Sequence, residues 1–355
     1  MPGTTHPEFN EKTEALEVAK AFSDGIKRKT IVVTGGNPNG IGFSTLQAFA
    51  SQSPAHLIIL GRTPAKKKTC NDHQKTQKPP PETPKHPIQI DLSSQKSIRA
   101  VAPAITSSFP KIDILINSAG VMGMPERILS EDGIEMHFAT NHLGHFLLTC
   151  LLMPSLISAS SPPARIINVS SMSPTAAGIR WSDINFSTKN RDLPPDEQPT
   201  YDWIEAWGYT DVREMSYIGL EAYNQSKVAN VLFSVALTNR LYDEYGILSL
   251  ALHPGAIVTE LGRDFEQAVL DAVGKMFEAG VYSYKTLGQG AATSLVAALD
   301  PKLGKGVVKG ELENYGVFLV DCQPNDQVLP KASSNENAER LWKLSEELVK
   351  EEFKW

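Results

Sequence analysis

Residues 30–42 read TIVVTGGNPNGIG and place a glycine-rich loop between a short apolar run and the start of a helical pattern. The β-branched run has the length and composition of a buried strand in a parallel sheet. Glycines at such a junction permit a tight turn and let the backbone approach a pyrophosphate, whose charge then lies at the helix N-terminus. A glycine-rich turn without a ligand is the alternative. The glycines expected to hold the pyrophosphate are Gly35, Gly36, Gly40 and Gly42.

Beyond this junction, short runs of Ile, Val and Leu alternate with longer helical patterns, which is typical of βαβ units in a parallel sheet. Strands are expected at residues 30–34, 57–60, 88–90, 112–116, 165–169, 248–252 and 317–320. Helices are expected at residues 43–50, 96–107, 133–152, 223–244, 287–299 and 335–353. Some apolar runs could instead be buried helix segments, but flanking Gly, Asn and Pro residues keep them strand-sized. The fold class is therefore α/β, a doubly wound Rossmann domain with seven parallel strands.

The whole chain, residues 1–355, is expected to form a single domain, because no linker separates two cores. Residues 1–28 are interpreted as an N-terminal helical extension, and residues 323–355 as a C-terminal tail with a docked helix. The proline-rich segment 64–87 predicts a mobile polar loop with at most a turn or two of helix. Residues 172–222 carry several Trp and Tyr residues and are interpreted as a packed insertion beside the substrate.

Composition narrows the class of protein. The net charge is −6, with 41% hydrophobic and 21% charged residues, which is typical of a soluble globular protein and argues against a nucleic-acid surface. Cys70, Cys150 and Cys322 form no metal-ligand or disulfide spacing, so we expect no metal site and a cytoplasmic location. The N-terminus lacks the pattern of a signal peptide. The apolar stretch 146–157 is shorter than the ~20 residues of a bilayer span, so no membrane span is expected.

Arg62 follows the second expected strand, about 20 residues after the last glycine of the loop, where an acidic residue would bind the ribose 2′-hydroxyl of NAD. Its guanidinium offers a planar set of donors to a 2′-phosphate, and Lys66–Lys68 would add positive charge. An arginine at a strand end is often only a solvated charge. The sequence nonetheless favours NADP(H) over NAD(H) as the cofactor.

Further motifs follow in a fixed order along the chain. They are Asp91-Leu92, Asn117-Ser118-Ala119-Gly120, Asn141 in NHLGHFLL, Ser170-Ser171, Tyr223-Asn224-Gln225-Ser226-Lys227, and His253-Pro254-Gly255 with Thr259. Over residues 28–322 this set resembles the short-chain dehydrogenase/reductase family. It is most similar to the branch of retinol dehydrogenases and WW-domain oxidoreductase, especially to fungal members of that branch.

The resemblance implies a role for each matching position. For the cofactor, it implies that Ile41 and the four glycines line the pyrophosphate and that Asp91 and Leu92 approach the adenine. It also implies that Asn117, Ala119 and Gly120 form a wall beside the cofactor. The residues implied near the nicotinamide are Pro254, Gly255, Ile257 and Thr259. For the reaction, it implies that Asn141 holds a water in a proton relay and that Ser171 is the catalytic serine, with Ser170 facing away.

The chemistry of Tyr223 and Lys227 follows from their spacing. Four residues apart on a helical pattern, the two side chains lie on one face, where they can also contact the cofactor. A nearby ammonium is expected to lower the pKa of the phenol from ~10 towards neutral pH, which suits proton exchange with a substrate. Ser171 would hydrogen-bond the substrate oxygen as hydride arrives from the nicotinamide. The alternative is a surface tyrosine beside a solvated lysine.

The glycine loop departs from the family pattern by one residue. Four residues, 36–39, separate Gly35 from Gly40, and the Gly-x-x-x-Gly-x-Gly spacing is restored only if the turn begins at Gly36. Pro38 also removes one backbone N–H from the loop. The contacts to the phosphates are therefore expected to differ from those of the family pattern.

These residues predict an NADP(H)-dependent oxidoreductase that reduces a ketone or oxidises a secondary alcohol. The aromatic residues of 172–222 suit an apolar substrate such as a polycyclic molecule, although such clusters are as often core as binding wall. The fungal resemblance implies secondary-metabolite biosynthesis, and family members are commonly homodimers or tetramers. Two alternatives stay open: a retinoid- or steroid-like alcohol dehydrogenase, and a non-catalytic protein that senses the cofactor and binds a partner.

Overall fold

The computed structural model describes residues 3–62 and 83–355. The strands are β1 Thr30–Thr34, β2 His56–Gly61, β3 Lys85–Gln89, β4 Ile114–Asn117, β5 Arg165–Val169, β6 Leu248–His253, β7 Val307–Lys309, β8 Leu312–Tyr315, β9 Phe318–Val320 and β10 Gln323–Pro324. Ile, Val and Leu dominate the central strands because helices cover both faces of the sheet. All five residues of β1 are buried.

Eight of these strands form one sheet in the order β10-β9-β6-β5-β4-β1-β2-β3. Neighbouring strands from β9 through β3 are parallel, and β10 pairs antiparallel with β9. The predicted seven-stranded parallel Rossmann sheet is therefore confirmed, with one short antiparallel strand added at its edge. Since β1 lies between β2 and β4, the direction of winding reverses at β1. A ligand crevice is expected at the carboxyl ends of β1 and β4.

The α-helices connect the strands, and those packed on the sheet cover both of its faces. They are α1 Ala15–Ala21, α2 Ile41–Ala50, α3 Gln95–Ser108, α4 Gly144–Ile157, α5 Tyr201–Ala206, α6 Gly219–Tyr245, α7 Gln267–Glu278, α8 Leu287–Leu299 and α9 Asn335–Val349. The helix predicted for 133–152 begins at residue 136, includes a π-helical segment at Phe138–Leu143 and ends with α4 at Ile157. The last helix ends at Val349 rather than at residue 353, because Lys350 adopts a left-handed conformation with φ of 58°.

The end of the proline-rich segment differs from its prediction. The loop was expected over 64–87, but Lys85–Gln89 forms β3 and pairs in parallel register with β2. Pairing with an ordered neighbour satisfies the backbone of this segment despite Pro87. Residues 63–82 lie outside the described residues. The sequence also did not predict α5, α7 or the β7–β8 hairpin.

Helix α6 is buried on nearly all sides because it lies between the sheet and α9. Trp342 of α9 packs against Phe233 of α6 and Phe146 of α4. Full burial of such a side chain contributes about 1.5–3 kcal/mol. This packing holds the N-terminal turns of α6, which carry Tyr223 and Lys227, at the carboxyl ends of β4 and β5. Within residues 3–62 and 83–355, no helix has the length and apolar character needed to cross a membrane.

Candidate active site

The glycine loop joins β1 to α2 through contacts that exclude larger side chains. Gly35 has a positive φ of 79°, and a Cβ there would lie 2.8 Å from the backbone of Ala119. A Cβ on Gly42 would lie 2.5 Å from the carbonyl oxygen of Gly35. A Cβ on Gly36 would lie 2.4 Å from Cγ2 of Ile59. The loop therefore packs backbone against backbone and leaves the N-terminus of α2 free to face a phosphate.

Two of the adenine-side residues lie at the carboxyl ends of neighbouring strands. Arg62 is exposed immediately after β2. Asp91 follows β3, and its carboxylate accepts hydrogen bonds from the backbone N–H and the hydroxyl of Ser93, at 2.9 and 2.7 Å. Leu92 is buried beside it. Lys66–Lys68 fall outside the described residues, so of the basic residues predicted at this position the structure describes Arg62.

The wall beside the crevice is held by Thr34. Its hydroxyl accepts the backbone N–H groups of Ser118 and Ala119, at 2.9 and 3.0 Å, and lies 2.8 Å from Nε2 of His145. Because both acceptor positions of Thr34 are occupied, its own proton is donated to His145 Nε2. His145 Nδ1 therefore carries the ring proton and donates it to the carbonyl of Asn141 at 2.9 Å. Burial lowers the pKa of His145 to about 4, which keeps the ring neutral.

One residue of the predicted wall is turned away from the crevice. The Asn117 amide is 1% exposed and donates to Thr149 and to Asn168, at 3.1 and 2.9 Å. Its side chain therefore holds β4 to β5 inside the sheet instead of lining the cofactor, which corrects the prediction for this residue. Ala119 and Gly120 remain on the wall, and a Cβ on Gly120 would lie 3.6 Å from Nζ of Lys227.

The residues predicted at the nicotinamide end follow β6. Gly255 has a φ of 100°, and a Cβ there would lie 2.5 Å from Cδ of Lys285. The Lys285 ammonium pairs with Asp321, so this turn is tied to the loop after β9. Thr259 caps the short helical turn Glu260–Gly262 by accepting the N–H of Leu261 at 3.2 Å. Pro254 and Ile257 lie in the same turn, with Ile257 packed against Gly290.

Tyr223 and Lys227 lie one turn apart on α6 and are 7% and 3% exposed. The Lys227 ammonium lies 5.5 Å from the centre of the Tyr223 ring and donates to the carbonyl of Val169 at 2.9 Å. Burial lowers the pKa of Lys227 to about 8. Burial also raises the pKa of Tyr223 well above its usual value, and a hydrogen bond with Ser171 acts in the opposite direction.

The pKa of Tyr223 therefore differs from the sequence expectation. A neighbouring ammonium was expected to lower it, but the Lys227 ammonium is bonded to the carbonyl of Val169, and burial of the phenol outweighs its effect. Burial is consequently the dominant influence on Tyr223. The phenol keeps its proton at neutral pH, which is the form that can donate to a substrate oxygen.

Asn141 lies in the π-helical segment and connects the wall to α6. Its side chain donates to the carbonyl of Val121 and accepts the N–H of the same residue, at 3.0 and 2.8 Å. It also donates to the hydroxyl of Ser226 at 2.9 Å. The extra residue of a π-helical turn redirects the backbone here, as is common at functional sites. That Asn141 holds a water stays a prediction.

The two serines after β5 point in different directions, as predicted. Ser170 donates to the carbonyl of Lys227 at 2.7 Å and is 2% exposed. Ser171 faces Tyr223, and its oxygen lies 2.6 Å from the hydroxyl of Ser173. Ser173 was not among the predicted site residues, although its position two residues after Ser171 is visible in the sequence.

The aromatic insertion packs directly on Tyr223. One hydrophobic cluster joins Tyr223 to residues of the insertion, namely Ile204, Val212, Ile218 and Leu220, with Trp203, Trp207 and Tyr209 packed against them. Trp207 also approaches Phe265 and Tyr282, with ring centres 6.5 and 6.3 Å away. The insertion therefore forms a small core of its own, and its aromatic residues extend to the segment around α7.

Known proteins are similar to this chain over most of its length. A family model described as short chain dehydrogenase matches residues 29–183. Oxidoreductase fscI of Fusarium equiseti is 38% identical over 249 residues, which cover 70% of this chain and 94% of that protein. Retinol dehydrogenase 12 of Homo sapiens is 33% identical over 345 residues, which cover 94% of this chain and 93% of that protein.

Solved structures show the same fold. A crystal structure of a putative uncharacterized protein from Mycobacterium paratuberculosis aligns with a TM-score of 0.62 at 26% identity, covering 93% of this chain and 96% of that one. An NADPH-bound carbonyl reductase from chicken fatty liver aligns with a TM-score of 0.51 at 21% identity, covering 83% of this chain and 97% of that one, and shows the fold alone. Because relatives that are 33% and 38% identical are matched over most of their length, the chain belongs to the short-chain dehydrogenase/reductase family. Members of this family are oxidoreductases that act on alcohol and carbonyl groups.

Proposed function

We propose that this chain is an NADP(H)-dependent oxidoreductase that reduces a ketone, or oxidises the corresponding secondary alcohol, on an apolar substrate. The observation that carries the proposal is the buried pair of Tyr223 and Lys227 beside Ser171. A neutral phenol next to a hydroxyl supplies two hydrogen bonds and one proton to a substrate oxygen. The nicotinamide cofactor, when bound, supplies the hydride.

The preference for NADP(H) rests on Arg62. Its guanidinium is exposed at the end of β2, and the sequence has Arg62 at the position where an acidic residue would bind a ribose 2′-hydroxyl. A charge-assisted hydrogen bond to a 2′-phosphate contributes about 1.5–3 kcal/mol. The glycine loop fits a pyrophosphate, because added Cβ atoms at Gly35 and Gly42 would meet backbone.

An apolar substrate such as a polycyclic molecule is supported by the aromatic residues between Tyr223 and α7. Trp203 and Trp207 are partly buried, so each keeps some surface for contact with a flat molecule. We further propose a role in secondary-metabolite biosynthesis and a cytoplasmic location. Two described cysteines, Cys150 and Cys322, are free and buried, which suits a reducing compartment.

A second candidate is a retinoid- or steroid-like alcohol dehydrogenase. Similarity to retinol dehydrogenase 12 extends over 94% of this chain, which favours an extended apolar alcohol as substrate. A non-catalytic cofactor-sensing protein is less well supported, because Ser171, Tyr223 and Lys227 are all present and close together.

The test is consumption of NADPH and of NADH against a panel of aromatic and polycyclic ketones and of retinoid and steroid alcohols and carbonyls. We expect NADPH to be preferred and a polycyclic ketone to be reduced. Arg62→Ala should raise the KM for NADPH about 10-fold or more and leave that for NADH unchanged. Arg28→Ala removes an exposed arginine at the opposite end of β1 and serves as the control. Equal use of both cofactors by wild type would contradict the NADP(H) assignment.

A further inference from the structure

Behind Ser171, three hydrogen bonds lead away from the substrate side to the carboxyl group of Glu221. The hydroxyls of Ser171 and Ser173 are 2.6 Å apart. Ser173 Oγ and Asn224 Oδ1 are 2.7 Å apart, and Asn224 Nδ2 lies 2.8 Å from Glu221 Oε1. Ser173 and Asn224 are 5% and 1% exposed, so water does not interrupt the chain. The chain connects β5 to the first turns of α6.

With Glu221 ionised, the direction of every bond is fixed. A carboxylate only accepts, so Asn224 must present its amide N–H to Glu221 and its carbonyl to Ser173. Ser173 then donates its single proton to Asn224, and it can only accept from Ser171. Ser171 therefore donates to Ser173. Its remaining acceptor positions face the Ser173 N–H, at 3.0 Å, and the Tyr223 hydroxyl. No proton of Ser171 is left for a substrate.

With Glu221 protonated, the same chain can run the other way. The carboxylic acid donates to the Asn224 carbonyl after rotation of the amide, and the Asn224 N–H then donates to Ser173. Ser173 in turn donates to Ser171. The Ser171 proton is then free to be donated to a substrate oxygen, where negative charge grows during hydride transfer.

The surroundings of Glu221 make both charge states accessible. Burial raises the pKa of its carboxyl group, whereas the hydrogen bond from Asn224 and the charges of Arg180 and Lys331 lower it. The other ionisable groups that face it or share its cleft are Asp183 and Glu197, which face Arg180, together with Asp196 and Tyr209. Burial is the largest of these influences, so the carboxyl group titrates above its usual range.

We propose that Glu221 is a positioning residue that sets the direction of the Ser171 hydroxyl through Ser173 and Asn224. Protonated Glu221 directs the Ser171 proton to the substrate oxygen, and ionised Glu221 directs it away. The inference rests on the proposed function, because it assigns Ser171 the role of a donor to the substrate. Glu221 itself touches neither substrate nor cofactor.

The experiment is the pH profile of kcat for carbonyl reduction at saturating NADPH, from about pH 5 to about pH 7.5, between the usual titration of a carboxyl and that of Lys227. In wild type, kcat should fall on the order of 10-fold as the pH rises, since one donor to the oxyanion is lost. Glu221→Gln cannot ionise, so its profile should be flat. Ser173→Ala should also give a flat profile, because it disconnects Ser171 from the chain.

Glu197→Gln is the matched control. It removes a negative charge from the same cleft without touching the hydrogen-bonded chain, so it should keep the wild-type fall in kcat. The inference is overturned if kcat of wild type or of Glu197→Gln does not change with pH. It is also overturned if kcat of Glu221→Gln or of Ser173→Ala falls with rising pH as in wild type. Loss of all NADPH-dependent turnover in wild type would refute the proposed function itself. Normal turnover with an unchanged Glu221→Gln profile would refute only this inference.

Discussion

At the scale of single residues, burial has opposite effects on the pKa values of Tyr223 and Lys227. It raises the pKa of Tyr223 and lowers that of Lys227 to about 8. At neutral pH the phenol is therefore neutral and most of the lysine is charged. This combination suits reduction, in which Tyr223 gives up a proton and the nearby ammonium stabilises the phenolate that forms.

The first prediction concerns this ammonium. Since the pKa of Lys227 is lowered to about 8, its charge is present below that pH and is lost above it. We expect kcat for carbonyl reduction to fall as the pH rises past 8. Lys227→Arg stays charged throughout and should lack this fall, although its absolute rate will be lower. Steady-state rates between about pH 7 and about pH 10 measure the difference, because this range spans the free-lysine value.

Lys29→Arg provides the control for that comparison. Lys29 lies just before β1, at the opposite end of the sheet from Tyr223, and pairs with Asp113. The Lys29→Arg variant should therefore keep the wild-type dependence of kcat on pH. A fall of the same size and position in Lys227→Arg would show that another group governs the rate above pH 8.

At the scale of elements, the turn between β1 and α2 sets how closely the helix N-terminus approaches a phosphate. The sequence predicted this turn and its extra residue, but it could not say which glycines are obligatory. The structure shows that Gly42 packs on the backbone of Gly35 and Gly36 on Ile59, so both sides of the turn are crowded. These contacts form only once the turn has folded, so the sequence alone could not predict them.

The second prediction follows from that crowding. In Gly42→Ala, the added Cβ would lie 2.5 Å from the carbonyl oxygen of Gly35 and must push α2 away from β1. We expect NADPH binding, measured by fluorescence titration, to weaken at least about 10-fold and the thermal midpoint to fall, because backbone cannot relax cheaply.

Gly274→Ala is the matched control. Gly274 lies inside α7, and an added Cβ meets nothing within 4 Å. Replacing an unstrained helical glycine by alanine should leave NADPH binding unchanged and stabilise the fold by about 0.5–1 kcal/mol. Unchanged NADPH binding in Gly42→Ala would show that the close contact with Gly35 is not needed to hold the cofactor.

At the scale of the whole molecule, buried histidines connect distant parts of the chain. His145 joins Thr34 to Asn141, and His142 bonds the hydroxyl of Ser345 on α9 at 2.8 Å. Burial lowers the pKa of His142 to about 3 and that of His145 to about 4. Both rings are neutral in the folded chain, and both become charged when the chain unfolds in mild acid.

The third prediction is acid destabilisation with a defined sign. A depressed histidine pKa means that the unfolded chain binds more protons between the unfolded value near 6.5 and the folded values of about 3 and 4. The free energy of unfolding should therefore fall as the pH drops below about 6.5, by up to about 1.4 kcal/mol per pH unit for each group. Denaturant titrations at several pH values measure this slope.

His142→Gln should remove the contribution of His142 to the pH dependence of the free energy of unfolding, while keeping a polar partner for Ser345. Its free energy of unfolding should depend less steeply on pH than that of wild type. Slopes that do not differ would mean that His142 is not protonated on unfolding in this range, against the burial seen in the fold.

How much the sequence could predict depended on how local the signal was. The parallel strands and the order of the motifs were readable because each depends on a few adjacent residues. By contrast, α7 and the β7–β8 hairpin carry weak local patterns, and α7 lies beside Trp207, some sixty residues earlier in the chain. The link from Ser171 to Glu221 was hidden for the same reason, since it forms only when β5 and α6 meet.

The pKa values were the least predictable property of the site. The spacing of Tyr223 and Lys227 correctly predicted that they share one helix face. It did not predict that the Lys227 ammonium lies over the Tyr223 ring and donates to Val169. Burial of the phenol depends on the whole insertion packed around it. Similarly, the side chain of Asn117 looked like part of the wall in sequence and is held inside the sheet by Asn168.

The central claim is that Tyr223 is the proton donor for an NADPH-dependent reduction, and Tyr223→Phe tests it most directly. The phenylalanine fills the same volume, so NADPH affinity measured by fluorescence titration should stay within about 3-fold of wild type, a difference below 1 kcal/mol. Turnover of the ketone that wild type reduces best, followed by NADPH absorbance, should fall at least about 100-fold. Turnover close to wild type, with NADPH bound normally, would contradict the account.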